Sequence, residues 1–267
     1  MADYSERAAR LDRAVVWTRT AAGQTGPVTV FPDGCMDLIW TEGALMVAGP
    51  DDHACQVATA GDAEFVGVRF APGSAPALLG VPAVELLNQR VDLAEILPAR
   101  RSRMLVDRLD NAPDRVAALE SIAMRLAAEA DTVDPVLTAI VETLDAGGSV
   151  AGTAERIGMS ARMLHRRSLS AFGYGPKMLA RILRFQRALA TIRAGVPAAE
   201  AAAVTGFADQ AHLSREFRDL AGCSVRTLQP VSAPGKSHSA TPRREVMLTV
   251  HAPSHVPGRV RTTDERM

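Results

Sequence analysis

Apolar and polar residues alternate in short runs over roughly the first 70 residues of this chain, then recur every three or four residues over most of the remainder. Short β-prone runs are predicted at Ala14–Thr20, Val28–Phe31, Met36–Thr41, Ala44–Ala48, Cys55–Thr59 and Glu64–Phe70. Turn signals separate them: Pro32-Asp33-Gly34, the two-residue hairpin Glu42-Gly43, and Ala60-Gly61-Asp62. Many short strands with frequent turns predict a small β-barrel or sandwich. The polar stretch Met1–Arg13 reads as a loose or partly helical lead-in.

After Pro72 the period changes. Ala75–Leu79 and Ala83–Leu87 are short apolar helical pieces, and Asp92 is placed to cap another that Pro98 closes. Two amphipathic helices, Arg100–Leu109 and Asp114–Ala130, flank Asn111-Ala112-Pro113. Val116, Leu119, Ile122 and Leu126 form a stripe on the second. That stripe suits either packing on the chain's own sheet or a seam between two copies. A hinge is expected at Asp131–Pro135, followed by a helix over Val136–Leu144.

From Val150 to Leu228 the pattern describes two helix-turn-helix units joined by a rod. In the first, Ala154 and Ile157 give an apolar edge, Gly158 ends one helix and Ser160 caps the next, at about Ala161–Ala171. Arg162, His165, Arg166 and Leu169 share one face of that helix, while Leu164 is its core residue. In the second, Ala198–Thr205 leads to Gly206 and the apolar wedge Phe207, and Asp209 caps a helix reaching Ala221. Leu213, Phe217 and Leu220 face inward; Gln210, Ser214, Arg215 and Arg218 lie opposite. The rod, Pro176–Ala194, is 19 residues, or roughly 28 Å at about 1.5 Å per residue. It would hold two reading helices near the one-turn spacing of roughly 34 Å between successive major-groove faces.

Charge sharpens this picture. The chain is neutral overall, but residues 1–146 carry 12 Lys+Arg against 22 Asp+Glu, and residues 147–228 carry 12 against 5. An acidic half joined to a basic half points to nucleic-acid contact confined to one domain. Residues 229–267, with 6 against 3, are Pro-, Ser- and Arg-rich and are expected to be a disordered tail.

The segments SARMLHRRSLSAFGYGPKMLARILRFQRALATIR and GFADQAHLSREFRDLAGCS resemble the DNA-binding region of AraC/XylS-family bacterial transcription regulators, over about 100 residues from Val133 to Leu228. The resemblance implies that Arg162, His165 and Arg166 enter one groove, and Gln210, Ala211, Ser214 and Arg215 the next. Two positions depart from the family pattern. Ser168 stands where phenylalanine is usual, leaving Leu169 or Phe172 to fill that core position, and Val225 stands where proline is usual. The stretches FPDGCMDLIW and GVRFAPGSAPALLGVPAVELLNQRVDLAEIL resemble the cupin-like amino-terminal domain of an actinobacterial-type subset of these regulators. Arginine suits guanine edges and glutamine suits adenine in the major groove. Arg156, Lys177, Arg181, Arg184 and Arg218 are the candidates for holding backbone phosphates, which fix register without carrying sequence.

Three cysteines with no CxxC pair fit a reducing cytoplasm rather than a disulfide framework. No apolar run is long enough for a membrane span, and the first residues lack an apolar signal core. Cys35, His53 and Cys55 invite a zinc reading, but no third or fourth ligand lies at diagnostic spacing. His53 is the one histidine in residues 1–146, which argues against a cupin-type metal enzyme; neither metal nor cofactor is expected. A small-molecule effector is expected inside the barrel. Trp17, Phe31, Trp40, Phe65 and Phe70 are its available aromatic walls, each more readily read as ordinary core, and Arg69 is a candidate anion anchor; no ligand residue is assigned.

The expectation is therefore an α+β chain. A sensor domain over 1–98 leads to a helical linker or dimerisation segment over 99–130, a two-unit DNA-binding domain over 131–228 and a tail. Its expected role is sequence-specific transcription regulation on double-stranded DNA, controlled by the first domain. A homodimer would match a two-fold operator, and an activator would also meet RNA polymerase. The competing readings are an effector-independent DNA-binding dimer and a cupin-like enzyme with an appended DNA-binding module.

Overall fold

The computed structural model describes residues 3–21, 26–58, 63–130 and 132–228. The expected tail lies outside the described residues, as does Asp131 of the expected hinge. The chain is mixed: a β-sheet domain precedes a helical one.

Among the described residues, eight strands form in the first part: β1 (Asp3–Ala8), β2 (Ala14–Thr20), β3 (Val28–Val30), β4 (Met36–Thr41), β5 (Ala44–Ala48), β6 (Cys55–Val57), β7 (Glu64–Phe70) and β8 (Arg90–Asp92). Each run predicted from alternation contains a strand, though two are shorter than expected at Val28–Val30 and Cys55–Val57; Thr59 and the expected turn Ala60-Gly61-Asp62 lie outside the described residues. β1 was expected to be loose, and it is instead an edge strand paired antiparallel with β2 from Asp3↔Thr20 to Ala8↔Val15. Its polar composition hid it, because an edge strand needs no apolar face of its own. β8 was not expected; its Val91 pairs with Val47, and Asp92 then caps α2 as expected, accepting the Ala94 N–H. Six strands make one antiparallel sheet in the order β1-β2-β7-β4-β5-β8, while β3 and β6 form a separate two-stranded ribbon.

One sheet face carries Ala14, Val16, Met36, Leu38, Trp40, Leu45, Val47, Val66, Val68 and Phe70, all buried in a single cluster. Helices α1 (Ala75–Leu79), α2 (Leu93–Ile96), α3 (Ala99–Asp110) and α4 (Arg115–Glu129) cover it, with a 3-10 turn at Ala83–Leu86. The stripe of α4 is used here: Leu119, Ile122, Ala123 and Leu126 are buried against the sheet. The apolar residues that would have made an intermolecular seam are consumed within the chain. Buried Glu120 fastens the same helix to β1. It accepts from Arg7 Nη1 and Nη2 at 3.0 and 3.1 Å and from the Arg10 backbone N–H at 2.7 Å. The Arg7 hydrogen bond, working against burial, holds the Glu120 carboxyl down at about 2.

The opposite face is polar and also buried. Arg69 lies 3.4 Å from Asp37, 3.6 Å from Asp33 and 3.8 Å from Glu6. Burial works against its charge, but Asp37 and Asp33 outweigh it and raise its pKa. Trp17 lies flat on Gly67, where a β-carbon would come within 2.1 Å of its ring, and its indole N–H donates to Asp37 at 2.6 Å. Arg69 is thus ringed by carboxylates and is no anchor for an anion, contrary to expectation. The aromatic walls are also differently placed. Trp40 and Phe70 lie in the core beneath the helices, Trp17 and half-buried Phe65 lie on the opposite face, and Phe31 leaves the sheet altogether, as described below.

The helical domain comprises α5 (Pro135–Asp145), α6 (Val150–Arg156), α7 (Ala161–Phe172), α8 (Pro176–Arg193), α9 (Ala198–Val204), α10 (Gln210–Ala221) and α11 (Val225–Leu228). The starts of α5, α6, α7 and α10 are set by side-chain caps from Asp134, Ser149, Ser160 and Asp209. Two apolar clusters divide the domain. One joins α5, α6, α7 and the start of α8; the other joins the end of α8 with α9, α10 and α11.

Candidate nucleic-acid interface

Each unit places a capped helix N-terminus at the surface. In the first, Ser160 Oγ accepts the Met163 N–H at 3.2 Å, and Gly158 takes the φ of +66° that reverses the chain. Leu164 and Phe172 are buried, and Arg162, His165 and Arg166 are exposed together. Phe172 fills the core beside buried Ser168, while Leu169 is half-buried. The His165 ring lies on the turn into α8, so a β-carbon at Gly175 would come within 2.8 Å of it.

In the second unit Asp209 accepts the His212 N–H at 2.6 Å, and Gly206 has φ +81°. Phe207 is the buried wedge; His212 meets it edge-on at 5.2 Å and the Arg184 guanidinium covers it at 4.6 Å. Gln210, Ala211, Arg215 and Arg218 are exposed and Ser214 is half-buried. Arg156 and Lys177 are also exposed.

Arg181 and Arg184, expected to hold backbone phosphates, are engaged with a carboxylate inside the domain. Arg181 binds Glu216 with both ends of its fork, Nε–Oε1 at 2.8 Å and Nη2–Oε2 at 3.1 Å, and Arg184 approaches the same carboxylate at 3.6 Å. Burial pushes the Glu216 carboxyl up, but Arg181 and Arg184 outweigh it and the net shift is downward. The two arginines therefore pin α8 to α10. A cation already matched by a buried carboxylate is poorly placed to hold a phosphate.

The matches to known proteins bear on this geometry. A family model described as "Helix-turn-helix domain" matches residues 153–229. The carboxyl-terminal region is an AraC-type helix-turn-helix domain. A second model, "Domain of unknown function (DUF6597)", matches residues 12–92, so this AraC-type domain is joined to a β-sheet domain of that family. No curated protein matches the chain. Among solved structures, ToxT from Vibrio cholerae O395 is 10% identical, with 84% of this chain and 96% of that one covered and a TM-score of 0.45. ToxT from Vibrio cholerae strain SCE256 with an unsaturated fatty acid bound is 11% identical, with 85% and 94% covered and a TM-score of 0.43.

The sheet domain reaches into the AraC-type domain, which sequence reasoning missed. Phe31 is buried in the cluster of α8, α9 and α10. Its ring meets Phe185 edge-on at 5.9 Å, Phe185 meets Phe217 of α10 at 4.8 Å, and Arg193 lies 5.9 Å from the Phe31 centroid. Burial lowers the Arg193 pKa to about 10. Next to it, buried Gln186 donates to the Pro32 carbonyl at 2.6 Å. An aromatic residue beside the Pro32-Asp33-Gly34 turn was the available signal.

A cleft of about 440 Å³ opens between the domains, lined by Pro76, Ala77, Val81, Leu137, Arg167 and Ser170 among others. Arg167 is ion-paired with Asp134 at its edge. Among the described residues, no three His, Cys, Asp or Glu side chains converge as metal ligands. Cys55 Sγ accepts from Arg90 at 3.1 Å, and His53 Nδ1 lies 2.5 Å from Asp52. Among the same residues, no helix is long and apolar enough to cross a membrane.

Proposed function

We propose that this protein is a sequence-specific transcription regulator that reads two successive major-groove segments, one with α7 and one with α10, under the control of its sheet domain. The observation that carries the reading is the pairing of two capped, outward-facing helix N-termini whose outward side chains are of the types that suit base edges. Arg162, His165 and Arg166 serve the first segment, and Gln210, Ala211, Ser214 and Arg215 the second. Arg156, Lys177 and Arg218 hold phosphates, and their exposure suits that role. Control by the sheet domain is supported by the Phe31 contact, which joins that domain to the core beneath α10. Such a regulator acts in the cytoplasm and carries out no chemistry of its own.

The test is selection of genomic fragments with purified full-length protein at a stated salt concentration, because phosphate-driven affinity falls steeply with salt. One enriched motif with two blocks about a helical turn apart is the expected result. Arg215→Ala should then relax preference at one position of one block by about 1–3 kcal/mol. Equal weakening on every sequence would make Arg215 a phosphate contact. Salt-sensitive binding with no enriched motif would sink the reading.

A further inference from the structure

The segment Pro50–Ala54 of the sheet domain touches both reading helices. At its start, buried Pro50 sits on Gly173, the left-handed residue ending α7. A β-carbon there would come within 2.7 Å of Pro50 Cγ and 3.2 Å of the Ala83 carbonyl. At its end, the Ala54 N–H donates to the Leu220 carbonyl at 2.7 Å. Leu220 lies in the last turn of α10, where carbonyls lack partners within the helix, so the sheet domain supplies one. Four residue steps link the two contacts, and a chain of that length reaches roughly 14 Å when fully extended.

The segment is held stiffly. Asp51 is buried and takes both ends of the Arg90 fork, at 3.1 and 2.6 Å. Asn88, at φ +58°, donates its backbone N–H to the Pro50 carbonyl at 2.9 Å. Its side chain accepts from the Asp52 N–H at 3.1 Å and donates to the Asp52 carboxylate at 3.0 Å. Gly49 runs so close to the 3-10 turn that a β-carbon would fall 1.7 Å from the Leu86 carbonyl. The Phe31 contact braces the same unit from the side of α8. Within the AraC-type domain, α7 and α10 are linked through α8. The Pro50–Ala54 segment adds a second tie, which turns a hinged pair into a closed frame.

We propose that Pro50–Ala54 is a brace that fixes the separation and relative angle of the two reading helices, so that the sheet domain sets which spacing between two DNA blocks is accepted. The proposal rests on α7 and α10 both reading DNA. Asp51 and Arg90 are positioning residues in it and touch no DNA.

The experiment measures binding of full-length protein to duplexes carrying the selected two-block motif, and to the same duplexes with one base pair added or removed between the blocks. Three proteins are compared: wild type, the double variant Asp51→Ala/Arg90→Ala, and a variant with two glycines inserted between Asp52 and His53. The double variant removes both charges at once, leaving no buried ion unpaired; the insertion lengthens the brace and leaves that pair in place. Wild type should lose about tenfold or more in affinity per changed base pair, since each base pair displaces and rotates one block relative to the other. Either variant, shown to be folded by its circular dichroism, should lose only two- to threefold, with base preference inside each block unchanged. Folded variants that keep the wild-type spacing penalty overturn the brace. Arg215→Ala and Gln210→Ala are run alongside: if neither changes preference in either block, the reading of α10 has failed, whereas a relaxed preference in one block with an unchanged spacing penalty condemns the brace alone.

Discussion

Truncating Phe31 to alanine should destabilise the helical domain from a position more than 100 residues upstream of it. Phe31 is only 1% exposed and its ring packs into the cluster of α8, α9 and α10. Removing a buried phenyl ring forfeits its transfer energy and leaves a cavity, typically about 3–5 kcal/mol together. The edge-on contact with Phe185 and the approach of Arg193 are lost with it; an aromatic pair adds about 0.5–1.5 kcal/mol beyond area. A total of ~3.5–6.5 kcal/mol is a large share of the ~5–15 kcal/mol by which domains are stable. The chain offers two separable probes. Both tryptophans, Trp17 and Trp40, lie in the sheet domain, so indole fluorescence follows that domain alone. Helical circular dichroism draws heavily on α5 to α11. In a urea titration, Phe31→Ala should move the helical transition to markedly lower urea, with the tryptophan transition moving less. A shift of under 1 kcal/mol in the helical transition, or one confined to tryptophan, would refute the placement of Phe31 in the helical core.

Three further outcomes follow from named contacts. Glu120, held at about 2 by Arg7, is a depressed carboxyl. Its contribution is complete above the unfolded value near 4.5 and fades as pH falls towards 2, an effect of at most ~3 kcal/mol and less because Arg7 and Arg10 are half exposed to water. Urea midpoints of wild type and Glu120→Gln should therefore converge between pH 5 and 2.5; a gap constant with pH would contradict this. Gly173→Ala should cost ~1–2 kcal/mol for its φ of +85°, plus the displacement of Pro50, read as a lowered melting temperature; an unchanged one would show that this junction yields freely. Replacing Lys177 and Arg218 together by alanine should weaken DNA binding equally on all sequences and reduce the salt slope by roughly 2; a sequence-dependent loss would make either a base reader.

Much of the helical domain was legible from the chain because its signals are local. Caps at Ser160 and Asp209, the glycines that end helices, and a period of three to four residues all act within one or two turns, so neighbours in sequence suffice to specify them. The same locality put Arg162, Arg166, Gln210 and Arg215 on outward faces. What the sequence left open was settled by contacts between distant residues. Nothing in the spacing of α4 says whether Leu119 and Ile122 meet a sheet or a second copy; β2 and β7 decide it by lying beneath them. Arg181 and Arg184 look like phosphate holders until Glu216, 35 residues beyond Arg181, is folded against them. Phe31 looks like a barrel wall until its turn is seen inside another domain's core. Asp51 and Arg90 carry no signal in the sequence; only the fold shows them stiffening a segment that reaches both reading helices. Periodicity states which face of an element is apolar, but the partner of that face is chosen by the global packing that buries most surface and leaves the fewest polar groups unmatched.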